Sequence, residues 1–154
     1  MSNNLVLVTH AGFAEGILTA FELIIGNPCP TSVVSVTMSE TVPTVASLIV
    51  HAIDAMDSAK PTVVLTDMPG GSTTQGAILA CANRPNVYVV TGLTLGLLLE
   101  IALLPLRAAD RSTREDNLSL LRKAVDASRA GIGLIEDLTS ELKVFSGDPN
   151  SEEL

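Results

Sequence analysis

The sequence predicts an α/β protein built on a doubly wound parallel sheet. Short apolar, β-branched runs alternate along the chain with stretches of helical period. Such runs are apolar on both sides, as strands are when helices cover both faces of a parallel sheet. Three of the runs also end in polar or small residues: Thr9-His10, Thr66-Asp67 and Thr91-Gly92. Strand C-termini of an open α/β sheet gather along one edge, where such folds place their chemistry.

The elements follow in order. Leu5–Val8 is the first strand, closed by His10 and turned by Ala11 and Gly12. Phe13, Ile17, Phe21 and Ile24 recur every three or four residues and predict a helix over 13–25. Glu15 and Glu22 lie off its stripe, and Gly26 is its stop. Ser32–Met38, with Val33, Val34 and Val36, is the second strand. Thr41 and Pro43 resemble an N-cap and an early helix position. Val45, Leu48, Ile49, Ala52, Ile53 and Met56 continue that helix, with His51 off its apolar side and read as a surface histidine. Thr62–Thr66 is the third strand and ends at Asp67. The turn-rich Met68–Thr74 leads into a helix over Gln75–Ala82. Val87–Thr91 is the fourth strand, and Thr94–Leu104 an apolar helix. Ser112 and Glu115 fit a capping box for a helix from Thr113 to Ala130. Gly131–Ile135 either extends that helix or turns into a short final strand. One domain over 1–136 is expected, with 137–154 a polar tail, disordered at least over Ser146–Leu154. Four parallel strands of this length suit a flavodoxin-like order.

Composition narrows the function. Nine Lys and Arg against seventeen Asp and Glu give a formal charge of −8. That excludes a nucleic-acid binder, which needs cations for the phosphate backbone. The apolar stretch Leu93–Leu106 is interrupted by Thr94, Gly96, Glu100 and Pro105, so no insertion into a membrane is expected. Cys29 and Cys81 have neither metal nor redox spacing. Met1–Asn4 has no basic segment of the kind that opens a signal peptide, which makes the cytoplasm the expected compartment.

If the first and third strands are neighbours, His10 and Asp67 face each other across a crevice. A carboxylate beside an imidazole fixes its tautomer and leaves the other ring nitrogen as a nucleophile. Gly70, Gly71 and Ser72 form a loop whose N–H groups can approach an anion, ahead of a helix N-terminus. Thr9 and Thr66, at the strand ends, join that loop as phosphate-binding candidates. Spacing alone is also compatible with a fortuitous pair and a plain Gly-Gly-Ser turn. No Gly-Lys-Ser/Thr follows the glycines, Ser72 is not in a nucleophile elbow, and no residue set supports a metal site.

Val6-Leu7-Val8-Thr9-His10-Ala11, Val63–Thr74 and Val89-Val90-Thr91-Gly92-Leu93 together resemble the mannose-family IIA component of the bacterial phosphoenolpyruvate-dependent sugar phosphotransferase system. The resemblance runs to about Ile135. It implies a flavodoxin-like sheet and a homodimer exchanging an antiparallel C-terminal strand. It implies that His10 is phosphorylated by the phosphocarrier HPr, that Asp67 orients it, and that Gly70, Gly71 and Ser72 contact the phosphate. The phosphoryl group would pass to a IIB component and on to a sugar entering through a IIC/IID permease, with no cofactor. The family often has tryptophan and proline where this chain has Pro69 and Thr73, and Gly92-Leu93-Thr94 replaces a more usual segment. A second reading is the related phosphocarrier subunit of dihydroxyacetone kinase, whose loop carries one glycine where this chain has two. A third is a regulatory module that senses phosphorylation.

Overall fold

The computed structural model describes residues 3–108 and 110–142. The elements run β1 (Asn4–His10), α1 (Phe13–Ile25), β2 (Thr31–Val36), α2 (Val42–Asp54), β3 (Thr62–Thr66), α3 (Ser72–Cys81), β4 (Val87–Thr91), α4 (Leu95–Ala102), α5 (Arg111–Ala130) and α6 (Ile135–Leu142). The four strands form one parallel sheet in the order β2-β1-β3-β4. This is the predicted doubly wound arrangement. Strand order reverses at β1, so the crevice of the fold opens between the C-terminal ends of β1 and β3. Val8 lies opposite Thr66, which brings His10 and Asp67 to one edge.

The alternation of side chains along each strand divides the core into two layers. Leu5, Leu7, Val63, Leu65 and Tyr88 pack with Ala14, Ile17 and Phe21 of α1, Leu98 and Ile101 of α4, and Leu121 of α5. Val6, Val8, Val64 and Val87 pack with Val45, Ile49 and Ile53 of α2 and Ala77 and Ala80 of α3. Each such fully buried aliphatic side chain contributes about 1.5–3 kcal/mol relative to exposure. Helices α2 and α3 approach closely at Gly76. A Cβ there would lie 2.6 Å from Cγ1 of Val45, so glycine is what permits the contact.

Several expectations are corrected. The buried stripe of α1 is Ala14, Ile17 and Phe21, while Phe13 and Ile24 are exposed. Helix α3 begins at Ser72 rather than Gln75, so Ser72–Thr74 form its first turn instead of a loop. Asp110, not Ser112, caps α5. Its carboxylate accepts from the N–H groups of Ser112 and Thr113, and Thr113 returns the hydrogen bond in a capping box. Gly131 ends α5, and its N–H and that of Ile132 bond back to Ser128 and Arg129. No fifth strand forms among the described residues. Gly131–Leu134 is a turn, and α6 carries the chain from Ile135 to Leu142, into the segment expected to be tail. The expected disorder of Ser146–Leu154 lies outside the described residues. Among those described, no helix is long and apolar enough to cross a membrane.

Candidate functional site

His10 is the last residue of β1, and Asp67 follows the last residue of β3. The Asp67 carboxylate oxygen Oδ2 accepts from the His10 main-chain N–H at 2.8 Å and lies 2.7 Å from His10 Nδ1. Its other oxygen, Oδ1, accepts from the Met68 N–H at 3.0 Å and the Thr73 hydroxyl at 2.8 Å. An ionised carboxylate only accepts, and four donors fill its four acceptor sites. Burial pushes the Asp67 carboxyl up, but the hydrogen bonds from His10 and Thr73 and the nearby imidazole outweigh it and hold the group below its ordinary value. Asp67 is therefore ionised at neutral pH. Nδ1 of His10 must carry the proton, and Nε2 keeps a lone pair.

The ring is half exposed. The His10 side chain is 47% exposed against 13% for Asp67. Ser72 Oγ stands 3.5 Å from Nε2, at the outer limit of a hydrogen bond. The turn beyond His10 holds Ala11 at a φ of 48°, a left-handed conformation that costs a residue other than glycine about 1–3 kcal/mol. The bond from the Ala11 N–H to the Val36 carbonyl, at 2.9 Å, helps hold it there. Across the crevice, Gly70 turns the loop with a φ of 79°, and the Gln75 amide donates to its carbonyl at 2.8 Å. Gly71 then caps α3 without a side chain. A Cβ on Gly71 would sit 3.3 Å from Met68 Cγ and 3.4 Å from His10 Cε1, so glycine lets this helix end come up against the imidazole. The N–H groups of Ser72 and Thr73 have no acceptor within α3. Beside the ring they form a positive, anion-seeking end.

The structure brings together His10, Asp67, Gly70, Gly71 and Ser72. It gives Thr9 and Thr66 other partners. Both are fully buried. Thr9 Oγ1 accepts from the Ala14 N–H at 2.8 Å and so caps the first turn of α1. Thr66 Oγ1 meets Thr74 Oγ1 at 2.6 Å, and Thr74 donates to the Met68 carbonyl at 2.6 Å. Thr73 and Thr74 were missed in the sequence because their turn was read as loop. His51 is exposed on α2. Cys29 and Cys81 are free thiols, and burial pushes Cys81 up to about 11. No His, Cys, Asp and Glu cluster among the described residues could hold a metal.

The C-terminal edge of the sheet carries exposed apolar side chains. Phe13 opens α1, Met38 follows β2 and Met68 follows β3, and all three are exposed. Glu15 stands in the first turn of α1. Hydrogen bonds from the Ser35 hydroxyl and its own backbone N–H hold its carboxyl below the usual value.

Solved structures share this fold. The mannose/sorbose-specific IIA subunit of the phosphotransferase system from Enterococcus faecalis superposes with a TM-score of 0.71 at 24% identity, over 87% of this chain and 95% of that one. The phosphotransferase component EIIA from Streptococcus agalactiae gives 0.70 at 24%, over 87% and 98%. The IIA protein associated with the fucose utilization operon of Streptococcus pneumoniae gives 0.68 at 22%, over 89% and 96%. No curated protein matches the sequence significantly. The family described as the PTS system fructose IIA component, EIIA-man, matches residues 4–116. The chain belongs to this family of IIA components of sugar phosphotransferase systems.

Proposed function

We propose that the protein is a phosphoryl carrier that accepts a phosphoryl group from phosphorylated HPr on His10 and passes it to a IIB component. The observation that carries this reading is the bond between Asp67 Oδ2 and His10 Nδ1, on a ring whose side chain remains 47% exposed. The Nε2 lone pair attacks phosphorus. The P–N bond to the donor histidine breaks, and that histidine keeps the electron pair. Positive charge develops on the His10 ring, where the Asp67 carboxylate already lies. Nδ1 keeps its proton throughout, so no general base is needed. The three phosphoryl oxygens come to lie against Gly71, Ser72 and the N-terminal N–H groups of α3. Positioning and fixed charge carry such a transfer, and the reading needs no cofactor.

Exposed apolar Phe13, Met38 and Met68 on the same sheet edge as His10 suit a protein donor and acceptor better than a free metabolite. The IIB component would serve a IIC/IID permease. The same reading includes a homodimer. The experiment is incubation with HPr carrying a labelled phosphoryl group. One acid-labile phosphate per chain is expected, and none on a His10→Ala variant. Label that persists in that variant, or that maps to His51, removes His10 from the reaction.

A further inference from the structure

We infer that Thr73 is a positioning residue for His10, acting through the second oxygen of Asp67. This rests on the carrier reading above.

The need for such a residue follows from the aspartate itself. Rotation of a carboxylate about its last bond is soft, with a broad preference rather than sharp wells. Nothing internal to Asp67 keeps Oδ2 turned toward His10. The His10 main-chain N–H holds Oδ2 from one side, and two donors hold Oδ1 on the other. One is the N–H of Met68, the next residue along the chain. The other is the Thr73 hydroxyl, at 2.8 Å, which arrives from a different element. Thr73 is fully buried, and its β-branched side chain is stiff. Its single hydroxyl proton goes to a carboxylate, the stronger kind of hydrogen bond.

The placement of Thr73 gives this bond its consequence. It lies in the first turn of α3, the turn whose N–H groups lack acceptors in the helix and, on the carrier reading, receive the phosphoryl oxygens. Through Thr73, the group that holds the nucleophile is tied to the helix that receives the phosphate. A carboxylate free to rotate would loosen its grip on Nδ1–H. The imidazole would then populate the other tautomer, with the proton on Nε2 and no lone pair to attack.

The test uses the full chain with ¹⁵N-labelled histidine. The nitrogen shifts of His10 report which tautomer is present, and no phosphoryl donor is required. Thr73→Val keeps the shape and removes the hydroxyl. Thr73→Ser keeps the hydroxyl and removes the methyl. In the parent protein the Nδ1–H form is expected. Thr73→Val should show a gain in the Nε2–H form and accept phosphate from phosphorylated HPr about tenfold more slowly, the scale of one hydrogen bond to a charged group. Thr73→Ser should match the parent in both. An unchanged tautomer population or an unchanged rate in Thr73→Val overturns the proposal. So does a Thr73→Ser protein as impaired as Thr73→Val, since shape would then be what matters. If the valine variant fails to fold, Thr73→Ala against Thr73→Ser decides the same point. A parent protein that accepts no phosphate at all defeats the carrier reading, and the tautomer comparison still judges Thr73.

Discussion

One oxygen of Asp67 holds His10 twice, by its main-chain N–H at 2.8 Å and by its ring Nδ1 at 2.7 Å. The backbone bond fixes where β1 ends relative to β3, and the ring bond fixes which nitrogen is free. Asparagine cannot reproduce both. With its oxygen toward His10, its NH₂ opposes the Met68 N–H. With its NH₂ toward His10, Nδ1 must accept and the proton moves to Nε2. Asp67→Asn should therefore fold and yet transfer phosphate slower by orders of magnitude; loss of the equivalent tautomer control in hydrolytic triads costs on the order of 10⁴. The measurement is single-turnover uptake of label from phosphorylated HPr. A near-normal rate in a folded variant removes Asp67 from the mechanism.

The same carboxyl makes stability depend on pH. Its folded pKa lies below the ordinary value, so the folded state binds fewer protons there than the unfolded one. The associated stabilisation is fully present above the unfolded carboxylate pKa of about 3.9, and is lost as pH falls through the lower folded value. The urea midpoint of the parent protein should exceed that of Asp67→Asn at pH 6, and the gap should narrow below about pH 3.5. A gap that stays constant across that range would mean that His10 and Thr73 do not stabilise the ionised form.

The pairing of His10 with Asp67 was legible in the sequence because strand ends are marked sharply. Apolar β-branched runs stop at Thr9-His10 and Thr66-Asp67, and the order of the sheet then places both at its switch point. The start of α3 was not legible. Gly71 caps it with no side-chain bond, and Ser72, Thr73 and Thr74 show no apolar period, so their hydroxyls were assigned to a loop. Before α5 the Ser112–Glu115 spacing reads as the capping box, but Asp110, two residues earlier, takes that place by accepting two N–H groups at once. At the C-terminus, the apolar Ile132, Leu134 and Ile135 suggested a strand. The signal against it was Glu136 and Asp137, acidic residues in the first turn of α6, where a helix favours them.

Close packing of α2 on α3 yields a stability prediction. A methyl group at Gly76 would meet Cγ1 of Val45 at 2.6 Å, Cβ of Val45 at 2.9 Å and the backbone nitrogen of Ala46 at 3.2 Å. Gly76→Ala gains up to about 1 kcal/mol in helix propensity, but overpacking of this kind costs about 1–3 kcal/mol. A net loss of about 1 kcal/mol is expected. Gly16→Ala in α1 is the control, since nothing lies within 4 Å of its added Cβ, and it should be stabilising. Denaturant midpoints compare the two. Equal and positive shifts would mean that the α2–α3 contact is looser than described.

The homodimer of the carrier reading is tested at the open edge of β4. Among the described residues β4 has no strand on its outer side, and a groove of about 760 Å³ beside it is lined by Tyr88, Val90, Leu118, Leu121 and Val125. Edges of this kind are normally covered. Sedimentation at micromolar concentration should report two 16.0 kDa chains per particle. A monomer throughout that range contradicts the homodimer.

The last prediction concerns an anion in the crevice without any partner protein. The N-termini of α1 and α3 both end beside His10; α3 leaves the N–H groups of Ser72 and Thr73 without acceptors in the helix, whereas at α1 Thr9 Oγ1 takes the Ala14 N–H and the Glu15 carboxylate its own. Phosphate or sulfate should bind there weakly and stabilise the fold by mass action, with a size set by concentration relative to Kd. Gly71→Ala tests the geometry. Its φ of −73° is one that alanine adopts freely, so the backbone is not strained. The added Cβ presses instead on Met68 Cγ at 3.3 Å and His10 Cε1 at 3.4 Å, moving the helix end away from the ring. The observable is the His10 imidazole resonance during a phosphate titration at constant pH and ionic strength. It should shift and saturate in the parent protein, and saturate at higher concentration in Gly71→Ala. If it stays still while distant surface signals move, the α3 helix end does not form an anion site, and a phosphoryl group on His10 would lack the N–H groups assigned to receive it.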